Sequence, residues 1–327
     1  MKRSSFVMFC CLLSIGGISP ADDEKPKQIR VGIIGLDTSH ASAFTKILND
    51  PQAPPDVAGC PVVAAYPHGS PDIESSKSRI PKHTEDVKSQ GVEIVDSIGA
   101  LLAKVDVVLL ETNDGRPHLD QARQVLKAGK PLFIDKPMAG SLKDVLAIFD
   151  EAQRAGVPVW SSSSLRYGTS TQAARGGAVG KIKQCETTSP ASLEKTHPDL
   201  FWYGIHGVES LFTVMGTGCQ SVARSSNQNK IVVTGKWSED RVGVFREASD
   251  YGGKVVGENG EGRVGALEGY RPLLVEIVKF FRTGKPPVTA DETIEIYAFM
   301  EAADESKRQN GADVTLASVL AKARSEK

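Results

Sequence analysis

Apolar runs and amphipathic stretches alternate along the first half of the chain. Ile29 to Ile34 is an apolar run closed by Gly35, and Ser39 to Leu48 carries apolar residues at helical spacing, which predicts strand, turn and helix. Pro51 to Pro61 is a proline-rich connection, Val62 to Ala65 a short strand, and Tyr66 to Ile80 a polar loop of Ser, Pro and Gly. Val105 to Leu110 is a further strand, and His118 to Ala128 has helical periodicity that Gly129 stops. Leu132 to Ile134, Leu142 to Ala155 and Val157 to Trp160 then read as strand, helix and strand. Alternation at these spacings predicts a parallel, doubly wound sheet.

The texture changes after Arg166 and Tyr167. Gly176-Gly177 interrupts, Lys181 to Thr188 begins a region of short strand-like runs, and Ile231 to Trp237, Val242 to Arg246 and Lys254 to Gly257 read as antiparallel strands joined by turns. Helical pattern returns in Leu273 to Arg282, in Thr293 to Gln309 and after Asp313. The chain therefore divides into an α/β domain over 29–165 and an α+β domain over 166–327.

Ahead of both, Met1-Lys2-Arg3 precedes an apolar run from Phe6 to Ile18 and then Ser19-Pro20-Ala21, the layout of an export signal. The run is short for a membrane span. Residues 1–21 are expected to be cleaved, 22–28 to be a linker, and the mature protein to be periplasmic or otherwise extracytoplasmic; an uncleaved anchor is the alternative. The arginine pairing of a twin-arginine signal is absent.

Composition narrows the partners. The 327 residues are 40% hydrophobic and 24% charged, with net charge −1 and a pI near 6.6, so no basic field is available for nucleic acid, nor for a membrane surface beyond the export signal. Cys60, Cys185 and Cys219 remain after cleavage. That odd number allows at most one disulfide, between Cys185 and Cys219, or three buried thiols. No Cys-x-x-Cys or closely spaced His/Cys set marks a metal site.

The chemistry concentrates after the Leu132–Ile134 run. Asp135-Lys136-Pro137 follows it, and Pro137 bars the strand from continuing, so Lys136 belongs at the carboxyl end of a strand, where open α/β sheets bind ligands. An ordinary surface turn lysine is the competing reading.

Taken with Ser162 to Tyr167 and Gly204-Ile205-His206-Gly207-Val208-Glu209, this turn resembles the glucose-fructose oxidoreductase/inositol dehydrogenase (Gfo/Idh/MocA) family over most of the chain after residue 21. The resemblance implies an N-terminal Rossmann domain that binds NAD or NADP. It also implies a C-terminal domain on an open, mostly antiparallel sheet, a sugar, cyclitol or related polyol as substrate, and a homo-oligomer. Asp135-Lys136-Pro137 corresponds to the family's Glu-Lys-Pro, Asn113 to His118 to its Asn-x-x-x-x-His, and Gly204 to Glu209 to its Gly-x-His-x-x-Asp. By that likeness Lys136 and His206 are the catalytic pair. Gly35, Asp37, Thr38, Ser39, Tyr66, Asn113, His118, Asp135, Lys136 and Pro137 contact the cofactor, and Arg166, Tyr167, Trp202, Tyr203 and Glu209 the substrate.

Three departures bear on activity. The dinucleotide fingerprint reads Gly35-Leu36-Asp37-Thr38-Ser39-His40, with Asp37 and His40 at the second and third glycine positions, and an ionised Asp37 repels pyrophosphate unless it caps the helix. No acid follows Val62 to Ala65 to hold ribose hydroxyls, which leaves NAD and NADP unseparated. Trp202 stands where many relatives carry an aspartate. These features favour a carbohydrate-binding protein on a dehydrogenase scaffold; Lys136, Asn113, His118 and His206 favour the oxidoreductase. An exported oxidoreductase would need a tightly held cofactor recycled within its site.

Overall fold

The computed structural model describes residues 28–326; the segment read as an export signal lies outside them. The first sheet contains β1 (Val31–Ile34), β2 (Val62–Tyr66), β3 (Glu93–Ile94), β4 (Val107–Leu110), β5 (Leu132–Ile134) and β6 (Val159–Ser161), in the order β3-β2-β1-β4-β5-β6. All its pairs are parallel, which is the doubly wound order. Each of β1, β4 and β5 is buried along its whole length, as strands covered by helices on both faces must be.

Alternate residues of these strands serve two cores. Ile33, Leu109, Phe133 and Trp160 point to one face and meet Phe44 of the Ser39–Leu48 helix, while Ile34, Val108, Leu110 and Ile134 point to the other, whose core runs on into the second domain. Local signals set the helix ends. Thr38 caps the Ser39–Leu48 helix, Ser141 caps Leu142–Ala155, and Gly156 ends the latter in the left-handed conformation. The expected polar loop from Tyr66 to Ile80 contains a short helix, Glu74–Lys77, and a second helix, Ile80–Lys88, follows directly; its single buried stripe of His83 and Val87 is too thin a pattern to read from sequence.

The second sheet contains β7 (Ile182–Ser189), β8 (Cys219–Asn227), β9 (Lys230–Trp237), β10 (Val242–Glu247), β11 (Gly252–Gly257), β12 (Gly260–Arg263) and β13 (Val314–Thr315), in the order β12-β11-β7-β10-β9-β8-β13. Only β7 and β10 pair in parallel. Helix Ile205–Met215 lies on this sheet, and Gly207 permits the approach: a Cβ there would meet the Phe245 ring at 2.5 Å. Helix Arg271–Thr283 follows the second sheet in the chain yet returns to the first, with Leu273, Leu274, Ile277 and Phe280 completing the core around Ile33 and Phe133. Cys60, Cys185 and Cys219 are free and buried, so the Cys185–Cys219 pairing does not occur and the isolated-thiol alternative holds.

Candidate functional site

Strand register assembles the site. Ile34, Leu110 and Ile134 are mutual neighbours across β1, β4 and β5, and Ile134 pairs with Ser161 of β6. The next residues, Gly35, Glu111, Asp135 and Ser162, therefore form a row across the carboxyl edge of the sheet. Gly35 has φ +98°, and a Cβ on it would lie 2.3 Å from the Thr112 backbone nitrogen, so only glycine fits this turn beside the β4 loop.

A cavity of about 410 Å³ opens above that row, between the two domains. From the first domain it is lined by Thr38, Ser39, His40, Asn113 and Lys136, with Arg79 and His83 on one side. From the second domain come Trp202, Tyr203, His206 and Tyr251, and Tyr270 closes the wall. Lys136 and His206 are thus brought from two domains to one cleft, with only 7% and 6% of their surfaces exposed.

The proton chemistry follows from this burial. His206 Nδ1 lies 2.7 Å from the Ser163 hydroxyl, while Nε2 makes no hydrogen bond among the described residues. Burial, and then the charges of Lys136 and His40 nearby, push the His206 imidazole well below its ordinary value, so it is neutral at pH 7. Lys136 Nζ is 3.9 Å from Asp135 Oδ2, which lies 2.7 Å from His40 Nδ1. Burial opposes charge on Asp135, but His40 and then Lys136 hold its carboxyl well below the usual carboxylate range.

Asp37 does not cap the helix; Thr38 does, accepting from the His40 amide. Instead the Asp37 carboxylate is tucked under the β2 loop, where it accepts from the Ser76 hydroxyl at 2.6 Å and from the Asn113 amide at 3.0 Å. Burial pushes its pKa up, against the pull of those donors. The first-turn amides other than that of His40, together with Ser39 and Arg79, remain available to a phosphate, and these residues fit the pyrophosphate of a dinucleotide.

Several residues expected at the site lie elsewhere. Arg166 and Glu209 are buried against each other, Nε to Oε1 at 2.7 Å, behind the cleft, because each satisfies the other's charge where water cannot. Tyr167 packs beside the first core with its hydroxyl buried. His118 is fully buried, its ring nitrogens 2.7 Å from the Thr112 carbonyl and 3.1 Å from that of Met138, so it ties the β4 and β5 loops together and does not face a ligand. Tyr66 stacks on His68 at 5.7 Å and does not line the cleft. Trp202 and Tyr203 do line it; Trp202 leans on His197 at 4.9 Å, and no aspartate takes over the position it fills. His40, Glu111, Tyr251 and Tyr270 were not among the expected site residues. Two carried a signal: His40 stands at the third glycine position of the fingerprint, and Glu111 directly follows the β4 run as Asp135 follows the β5 run.

Burial of neutral imidazoles makes folding pH-dependent. Burial also lowers the His118 pKa, against its two carbonyl contacts. Unfolded histidines bind a proton near pH 6.5 and these two do not, so the unfolded state gains protons, and stability falls, as pH drops through 6.5. Each contributes up to about 1.4 kcal/mol per pH unit below that point. We expect the melting temperature to fall between pH 7 and 5 and the fall to be shallower in His118→Asn; a profile identical in that variant contradicts the assignment.

Residues 29–163 match the model of a family described as an oxidoreductase family with an NAD-binding Rossmann fold. Among curated proteins none matches the chain. Among solved structures, a protein from Thermotoga maritima described as a probable dehydrogenase superposes with a TM-score of 0.70 at 19% identity, covering 89% of this chain and 100% of that one. The scyllo-inositol dehydrogenase of Lactobacillus casei, solved with NAD(H) and scyllo-inositol, gives 0.70 at 16% identity over 89% and 100%. The myo-inositol dehydrogenase of the same organism, solved with NAD(H) and myo-inositol, gives 0.69 at 15% over 88% and 96%. At these identities the likeness establishes the shared fold.

Proposed function

We propose that this chain, whose first domain belongs to the Gfo/Idh/MocA oxidoreductase family, is a nicotinamide-dependent dehydrogenase acting on a hydroxyl of a sugar, cyclitol or related polyol. The observation that carries this reading is the convergence of Lys136 and neutral His206 on one aromatic-walled cleft that ends at a helix N-terminus. The solved inositol dehydrogenases of the same fold support the substrate class.

Thr38, Ser39 and Arg79 would hold the pyrophosphate, and Asn113 and Lys136 would flank the nicotinamide half. When bound, the dinucleotide supplies the hydride acceptor. The protein supplies the rest. With Nδ1–H donated to Ser163, the Nε2 lone pair of His206 takes the hydroxyl proton. The Lys136 ammonium hydrogen-bonds the same oxygen and stabilises the charge that develops on it. Trp202, Tyr203 and Tyr251 offer apolar ring faces to the C–H face of a polyol, and the hydrogen bond from the Tyr251 to the Tyr203 hydroxyl at 3.1 Å steadies that wall. Export to an extracytoplasmic compartment rests on residues 1–21 and, if it occurs, requires the cofactor to stay bound and be recycled.

The test begins with denaturing the purified full-length protein and identifying released dinucleotide by mass spectrometry, followed by adding NAD or NADP back with a panel of polyols. We expect a dinucleotide either released at near one per chain or bound on addition, and turnover of at least one polyol. Carbohydrate binding with neither cofactor binding nor turnover would replace this reading with that of a carbohydrate-binding protein.

A further inference from the structure

Three side chains at the row of strand ends remain unexplained by the dehydrogenase site. Glu111 is fully buried and neither carboxylate oxygen has a hydrogen-bond partner among the described residues. Asp135 Oδ1 is likewise buried without a partner, and His40 Nδ1 lies 2.7 Å from the other Asp135 oxygen without hydrogen-bond geometry. One ligand atom from each of the three residues lies within 4.8 Å of the others.

Their convergence has a structural cause. Glu111 and Asp135 each stand two residues beyond a strand position, Leu109 and Phe133, whose side chain faces the Ser39–Leu48 helix, so both carboxylates point toward that helix. His40 answers from its first turn, at the position where the dinucleotide fingerprint carries its third glycine.

We propose that His40, Glu111 and Asp135 form a binding site for one divalent transition-metal ion, with zinc the best match to the donors. Ligands about 2.0–2.2 Å from a common zinc centre lie roughly 3–4 Å apart, so a set confined within 4.8 Å needs only small side-chain rotations to close on the ion. The imidazole donor and the dry surroundings favour zinc over magnesium, which prefers oxygen ligands and keeps its waters. Charge is compatible as well: two carboxylates match a divalent ion, while the present neighbours serve Asp135 alone, His40 at 2.7 Å and Lys136 at 3.9 Å, and leave Glu111 unpaired. Three protein ligands leave a fourth position, and His40 and Lys136 both line the cleft, which provides the route of entry. The alternative is a neutral Glu111 sharing a proton with Asp135.

The experiment uses the full-length protein, stripped with chelator and dialysed, then titrated with zinc chloride by calorimetry, with metal content read by mass spectrometry. It needs no substrate or dinucleotide, so its failure is distinct from failure of the dehydrogenase reading. We expect close to one zinc per chain, and an affinity weaker by more than about 100-fold in Glu111→Gln, since losing even the support of a ligand costs 10–100-fold. X-ray absorption of the zinc-loaded parent, which does not depend on any variant folding, should show nitrogen and oxygen donors and no sulfur. Equal zinc binding in a folded Glu111→Gln, a sulfur ligand, or no stoichiometric binding by the parent would each overturn the proposal.

Discussion

Lys136→Met is expected to lower kcat by about 10²–10⁴-fold, the range that a positioned acid–base or charge-stabilising group contributes, with a melting temperature within a few degrees of the parent. The residue follows β5 directly, is 93% buried and still reaches the cleft with its ammonium. Methionine keeps the unbranched stem and its packing but removes the charge aimed at the reacting oxygen. The loss should fall on kcat more than on KM, because the interaction strengthens as alkoxide charge develops. His206→Asn should match it in size, and the double variant should be little worse than either single one, since both act on the same proton transfer. Undiminished turnover by Lys136→Met would remove the residue from the chemistry.

The second large effect concerns stability. Arg166 is 2% exposed and sits between two carboxylates, Glu209 at 2.7 Å and Glu292 at 2.6 Å, which keep it charged against the cost of burial. Arg175 braces Glu292 from outside at 3.1 Å. Glu209 also accepts from the Ser162 hydroxyl and the Ser163 amide. Arg166→Met leaves Glu209 buried with no cation, a change that typically costs 3–5 kcal/mol, about 5–8 °C in melting temperature for a chain of this size. Adding Glu209→Leu should recover most of that loss, because removing both charges leaves no unpaired ion. Calorimetric or fluorescence melts would check both; a single variant melting with the parent would show that the pair carries no such weight. Glu209→Gln should accordingly change stability rather than substrate KM, in contrast to the contact with substrate that its place in the His206 motif implied.

The legible part of the site was that written in contiguous residues. Gly35, Thr38, Ser39, Lys136 and His206 fall where strand ends and motif spacing put them, and Trp202 and Tyr203 line the cleft. Arg166 and Glu209 were misplaced because a charged residue near a motif reads alike whether it faces a ligand or an ion partner. The choice between those fates depends on which segment packs opposite, here residue 166 against residue 209. Tyr251 and Tyr270 follow loops with no chemical signature, and only the docking of the second domain onto the first carries them to the cleft.

The amino-acid sequence alone determined the doubly wound order of elements, the helix bounds Ser39–Leu48 and Leu142–Ala155, and the position of Lys136 after its strand. These are decided by interactions between residues a few positions apart: side-chain periodicity, capping hydrogen bonds, and the backbone freedom of glycine and proline. Tertiary structure alone decided that Asp37 turns away from the helix it precedes, that His40, Glu111 and Asp135 meet, and that Arg166 and Glu209 become a buried pair. Their partners are tens of residues distant, and strand register and domain packing set those distances, through contacts that no local stretch of sequence contains.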